Sequence, residues 1–267
     1  MSLIDRSALA RARELVERSR RIVVLTGAGI STDSGIADFR GPQGIWTKDP
    51  AAEKLATIEH YLSSSEARQA AWQRRLTSTI DQAEPNPGHT ALFELERSGR
   101  LDTLVTQNID GLHQRAGHDP ARIIEIHGTA RDVVCLRCGH RQPAQPVHDR
   151  VRSGEHDPHC LELVGGAGEA CGGILKSAVI SFGQDLVVED LRRAELAARD
   201  CDLLLTVGST LGVYPAAGLV PIAARSGADI VIMNGGPTEL DAYADVLVFG
   251  SLSDALSDLV QGLRPVG

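Results

Sequence analysis

The 267-residue chain sets 27 Lys and Arg against 35 Asp and Glu, a formal charge of −8 at pH 7 with no long basic block. That balance speaks against a broad cationic face for tight nucleic-acid binding. An apolar content of 42% with 23% charged residues is that of a soluble globular protein, and aromatics at 3% leave the core to Leu, Val, Ile and Ala.

The first segment carries Asp5, Arg6, Arg11 and Arg13 on a predicted helix and has no apolar signal region. No apolar run is long enough to span a membrane. A cytoplasmic protein is expected, whose five cysteines are thiols or metal ligands rather than disulfides. Predicted strands follow in order: RIVVLT (21–26), LDTLVT (101–106), IIEI (123–126), SAVIS (177–181), DLLLTV (202–207), DIVIMN (229–234) and DVLVF (245–249). Most are continuously apolar, as in strands covered on both faces.

Helical patterns lie between them. GHTALFELERSG is closed by Gly99, LVVEDLRRAELAARD follows SAVIS, and YPAAGLVPIAARSG is closed by Gly227. The last, SDALSDLVQGL, has Ser253 as its expected N-cap. The alternation predicts an α/β fold, a doubly wound parallel sheet of Rossmann type. Residues 1–42, 84–131 and 174–267 are assigned to that sheet domain. Residues 43–83 read as a helical insertion, with SSSEARQAAWQRRL its best helix. Residues 132–173, rich in Gly and Cys, read as a small module held together by something other than a core.

The chemistry gathers at one end of the strands. RIVVLT is followed by GAGIST, LDTLVT by QNIDGLH, IIEI by HGTA, DLLLTV by GSTLGVYP and DIVIM by NGGP. In an open parallel sheet, ligands bind beyond the carboxyl ends of the strands, so TQNIDGLH reads as one wall of a crevice. Gly27-Ala28-Gly29 opens like a dinucleotide loop, although Thr32 stands at the sixth position, and an ordinary strand-to-helix turn uses Gly equally well. Gly208-Ser209 adds a second such turn. Asn234 suits a ribose hydroxyl or merely caps a turn. His127, at the same edge as Asn108 and Asp110, is a candidate general base, whereas His113 and His118 read as structural. Ser209 has no base beside it, which disfavours serine nucleophile chemistry.

Cys135-Leu-Arg-Cys138 is a zinc-type turn, and Cys160 with Cys171 supplies a second pair at an unusually long spacing. His159 is an alternative ligand, and Cys201 reads as a buried thiol. Four thiolates leave no position for water, so the expected Zn²⁺ is structural.

GAGISTDSGIADFRG (27–41), TQNIDGLH, IHG (126–128), the cysteine pairs, SFGQ (181–184) and VGSTLGVYP together resemble the sirtuin (Sir2) family of NAD-dependent protein deacylases. GPQGIWT and the long cysteine spacing are similar to the branch of the sixth and seventh human sirtuins, and the Arg-rich composition suits a bacterial genome. The resemblance implies that Gly27, Ala28, Gly29 and Ser31 lie by the pyrophosphate of NAD, with Asp38, Phe39 and Arg40 on the cofactor loop. It implies that Gln107 and Asn108 orient the nicotinamide ribose, that Ile109 and Asp110 hold the carboxamide, and that Gly208, Ser209, Asn234 and Leu252 hold the adenosine half. An acyl-lysine peptide would add as a strand between Val179, Ser181, Phe182 and Gly183 on one side and Leu211 and Val213 on the other.

In the implied reaction the acyl oxygen attacks the ribose carbon as nicotinamide leaves, and His127 then removes a proton from a ribose hydroxyl. The products are free lysine and 2′-O-acyl-ADP-ribose. Acetyl or longer apolar acyl groups are expected, because no Tyr-x-x-Arg pair follows the FRG loop as it does in the family's desuccinylases. Ala37 replaces a common Pro, and no Pro follows Gln184, which loosens the expected cofactor loop and peptide edge. Mono-ADP-ribosyl transfer and a non-catalytic NAD sensor are the alternatives. No membrane or direct nucleic-acid partner is expected.

Overall fold

Runs that are apolar at every position need cover on both faces, and the chain provides it. The computed structural model describes residues 4–38, 41, 44–49, 56–164 and 168–266. Six parallel strands form the main sheet: β1 (Ile22–Thr26), β2 (Leu101–Thr106), β3 (Ile123–Glu125), β9 (Leu203–Val207), β10 (Asp229–Asn234) and β11 (Val246–Phe249). Their order is β11-β10-β9-β1-β2-β3. Alternate residues of β1 serve opposite layers. Ile22 and Val24 pack with Val16, Leu92, Leu95 and Leu256 from the helices Arg6–Arg18, Pro87–Arg97 and Leu252–Val260. Val23 and Leu25 pack with Ala194, Ala198, Val220 and Ala223 from the helices Val188–Asp200 and Leu219–Arg225. No helix among the described residues is long and apolar enough to cross a membrane.

Two expectations fail locally. SAVIS does not join the large sheet. Its strand, β8 (Leu175–Val179), pairs antiparallel with β4 (Gly128–Cys135), which also pairs with β5 (Arg141–Pro143). Polar residues interleave the apolar ones in GTARDVVC, as suits a strand with one covered face, and this hid β4 beside the louder continuous runs. A short hairpin of β6 (Leu163–Val164) and β7 (Glu169–Ala170) completes the module. Ser253 is not the N-cap of the last helix. Ser251 caps it, accepting from the Asp254 N–H, while the buried Ser253 hydroxyl donates to Asp33. The helix starts two residues earlier than that cap implies, and Leu252 at its first position packs in the core.

The small module replaces a large core with a compact one: Trp72 from the helix Ser65–Leu76 packs with Val133, Val147, Val151, Leu175 and three of the cysteines. Tyr61 ties the helical insertion to it by donating to the Leu175 carbonyl at 2.5 Å.

Behind the main sheet, His89, His113 and His118 are all buried, with neighbouring ring centroids 4.9 and 5.5 Å apart. Burial pushes all three pKa values down, His89 to about 4. An unfolded histidine titrates near ~6.5, so below that value the unfolded chain binds more protons. Stability should therefore be full above pH ~6.5 and fall with acidification towards pH ~4, by up to about 1.4 kcal/mol per pH unit for each histidine. Denaturant melts across that range will check this; a flat stability profile down to pH ~4 would contradict it.

Candidate active site

The strand order reverses between β1 and β9, where connections leave to opposite faces and open a crevice. The loops after these strands nevertheless touch. The Gly29 N–H donates to the Gly208 carbonyl at 2.8 Å and the Gly27 N–H to the Val207 carbonyl at 2.9 Å. A Cβ on Gly27 would lie 2.7 Å from the Gly208 oxygen, and one on Gly208, whose φ is +67°, 2.4 Å from the Ile30 nitrogen. The glycines are thus required first for loop-on-loop contact, with two of their amides already spent there.

A cleft of about 1830 Å³ opens over this contact. Lining it are Gly27, Ala28, Gly29, Ser31, Asp38, Gln107, Asn108, Ile109, Asp110, His127, Gly208, Ser209, Asn234 and Leu252. Phe39 and Arg40 lie outside the described residues. The five predicted loops therefore converge. Buried Asn108 donates from Nδ2 to the Gly27 carbonyl and to Ser31 Oγ, both at 3.1 Å. Ser31 Oγ in turn donates to Asp110 at 2.8 Å, and the other Asp110 oxygen accepts from the Leu112 N–H. Burial raises the Asp110 pKa against the pull of these bonds. Gln107 Nε2 donates to Ser209 Oγ at 2.9 Å, crossing the crevice. Asn234 spends Nδ2 on the Gly236 carbonyl, the turn-capping reading, while still facing the cleft.

His127 is half-buried, and its Nδ1 lies 3.2 Å from the Gln107 carbonyl. A carbonyl only accepts, so Nδ1 carries the proton and Nε2 keeps its lone pair. Burial lowers the pKa, offset in part by that carbonyl. The ring is a neutral base near pH 7.

The predicted substrate edge is placed by two contacts. Ile180 N–H donates to the His127 carbonyl at 2.8 Å, and Phe182 exchanges backbone bonds with Ala56 and Ile58. Val179, Ser181, Phe182, Gly183 and Val213 line the cleft. Leu211 does not: with φ +56° and 1% exposure it turns its side chain into the core beside Val23 and Leu25. The apolar residue at that position anchors the loop. Missed from sequence were Tyr61, Trp72, Arg75 and Lys176, which line the same cleft from the helical insertion and β8. Nothing in their local pattern marks them, because packing between distant segments turns them inward.

Cys135, Cys138, Cys160 and Cys171 bring their sulfurs within 4.8 Å of one another. Two pairs stand at 3.7 and 3.8 Å. A tetrahedron with Zn–S of ~2.3 Å has edges of about 3.8 Å, so the set fits one Zn²⁺. The N–H groups of Arg137 and Cys138 aim at Cys135 Sγ, as suits a thiolate. Ligand atoms come from the four cysteines, His159 not being among them.

A glycine-bridged switch point, an amide–carboxylate network, a neutral histidine and a four-cysteine module define a nucleotide-site α/β protein with a metal-stapled insertion. Residues 27–215 match the model of the Sir2 family, and the chain belongs to that family. It is 44% identical to NAD-dependent protein deacetylase 2 of Streptomyces coelicolor, over 91% of this chain and 97% of the relative. It is 35% identical to the NAD-dependent protein deacetylase of Thermodesulfovibrio yellowstonii, over 99% of this chain and 98% of the relative. A Sir2 complex with a p53 peptide and NAD⁺ superposes with TM-score 0.77 at 33% identity, covering 91% of this chain and 93% of that one.

Gly208→Ala should destabilise the fold by about 2 kcal/mol or more, since both φ and the Ile30 amide oppose a Cβ; an unchanged melting temperature would contradict the contact. Stripping zinc with a chelator should unfold the small module, read as lost hydrogen-exchange protection in β4 and β8 and restored by Zn²⁺. Metal-free protein that keeps that protection would overturn it.

Proposed function

We propose that the chain removes acetyl, or longer apolar acyl, groups from protein lysines with NAD and one water as co-substrates, releasing nicotinamide, 2′-O-acyl-ADP-ribose and free lysine, in the cytoplasm. The observation that carries this is the bare Nε2 of a neutral His127 in the cleft lined by the Asn108–Ser31–Asp110 network. Bound NAD supplies a ribose carbon that becomes electrophilic as nicotinamide leaves.

The chain's own groups do the rest. Asn108 and Gln107 orient the nicotinamide ribose, Asp110 and the Ile109 backbone hold the carboxamide, and Ser209 belongs to the adenosine half. Gly27, Ala28, Gly29 and Ser31 flank the phosphates, with Asp38, Phe39 and Arg40 assigned as cofactor residues. Gly208, Asn234 and Leu252 take the adenosine half. His127 accepts a proton from a ribose hydroxyl, which needs only its neutral form. The peptide lies as a strand along residues 179–183, with Val213 opposite.

A second reading of the acyl class is favoured by the inner end of the cleft. Lys176 is 4% exposed and donates to the Val179 and Ser177 carbonyls. Burial, then Arg75, lowers its pKa to about 8. The carboxylate of Asp81 acts on Arg75, while among the described residues Trp72 Nε1 and Ser177 Oγ are buried without partners. Two cations and two orphan polar groups suit a carboxylate-ended acyl chain, despite the absent Tyr-x-x-Arg pair.

A mass-spectrometric time course with NAD and acetyl-, decanoyl- and succinyl-lysine peptides tests both. Free lysine and O-acyl-ADP-ribose should form in step, and His127→Ala should lose at least ~10²-fold in kcat. ADP-ribose on protein, or NAD binding without turnover, would favour the transferase or the sensor. The acid limb of kcat/KM should fall below the ordinary histidine value of ~6.5, because burial keeps His127 neutral to lower pH. A limb above that value would contradict the assignment.

A further inference from the structure

One of the buried histidines is linked through two threonines to a residue that lines the cleft. His113 Nε2 lies 3.0 Å from Thr26 Oγ1, Thr26 Oγ1 lies 2.8 Å from Thr106 Oγ1, and the Asn108 N–H donates to Thr106 Oγ1 at 3.0 Å. Thr26 and Thr106 are paired residues at the carboxyl ends of β1 and β2, immediately before the two loops that line the cleft. His113 comes from the short helix Leu112–Ala116 that follows the second loop. Its Nδ1 is buried and has no partner among the described residues.

Two tautomers are conceivable, and the orphan decides between them. With the proton on Nε2 the unpartnered atom is a lone pair; with the proton on Nδ1 it is a buried N–H, the rarer defect. The bonds therefore run from His113 Nε2–H to Thr26 Oγ1, and from the Thr26 hydroxyl to Thr106 Oγ1, which also receives the Asn108 amide. A leucine or phenylalanine would fill the same space without an orphaned nitrogen. The imidazole is explained by its donor.

We propose that His113 is a positioning residue for the loop 107–110, its Nε2–H locking the two strand-end threonines and, through Thr106, the backbone of Asn108. The proposal rests on the reading of Asn108 as a cofactor residue. It concerns where residues 107–110 are held and no proton transfer.

The test is steady-state kinetics of His113→Leu, His113→Gln, Thr26→Val and Asn108→Ala in the full chain, with melting temperatures alongside. His113→Leu should raise the KM for NAD about tenfold or more, leave the KM for acyl-peptide within about threefold, and not lower the melting temperature. His113→Gln, whose Nε2 donor reaches the same place, should recover most of the NAD affinity. If His113→Leu fails to fold, Thr26→Val cuts the same chain with an isosteric residue and should show the same split. An unmoved NAD KM in the variant that folds, or a glutamine variant no better than leucine, would overturn the proposal. Asn108→Ala separates the levels: an unmoved NAD KM there would overturn the site reading itself.

Discussion

Two backbones that touch set the geometry of this molecule. The hydrogen bond from Gly29 to Gly208, with no room for a Cβ on either side, closes the floor of a crevice that the reversal of strand order would otherwise leave open. Because the floor is backbone, the side chains around it are free to face one another. Gln107 reaches Ser209 across the switch point, and Asn108 reaches both Gly27 and Ser31. A pocket wall on β2 is thereby registered against the loop of β1 and the loop of β9.

Polar groups of the site sit partly or wholly out of solvent, and burial acts on their charge. Burial raises the Asp110 carboxyl and lowers the His127 imidazole, both towards the neutral form. Charge introduced by a ligand at such a spot is little screened, which makes a fixed dipole or lone pair more effective than on an open surface. The single bond from His127 Nδ1 to a backbone carbonyl chooses the tautomer that leaves Nε2 its lone pair.

The metal-stapled module is joined to this chemistry by β8. That strand carries Leu175 in the module's core and Val179 at the cleft, and the next residue, Ile180, donates to the carbonyl of His127. Four sulfurs at tetrahedral spacing do the work that a larger apolar core would do elsewhere. Integrity of the zinc site and placement of this edge of the cleft are in this way one structural problem.

Much was legible before any coordinates. Continuous apolar runs predicted doubly covered strands, and the polar residues after each predicted a shared ligand edge, because a parallel sheet sends all its strand ends the same way. The four thiol ligands could be named from residue type and spacing, which set Cys201 apart. Strand β4 was illegible because one covered face leaves an interleaved pattern, and SAVIS was misplaced because an apolar run does not say which sheet it joins. Leu211 looked like a substrate contact until its positive φ turned it into the core. Arg75 and Lys176 in the cleft, and the spent amides of Gly27 and Gly29, belong to the same class of fact. The sequence by itself determined which chemistries were present and at which end of the sheet they would gather, since those depend on residue type and periodicity. Tertiary structure alone decided which side chains face each other, since contacts between segments far apart in the chain follow from packing, not from neighbours in sequence.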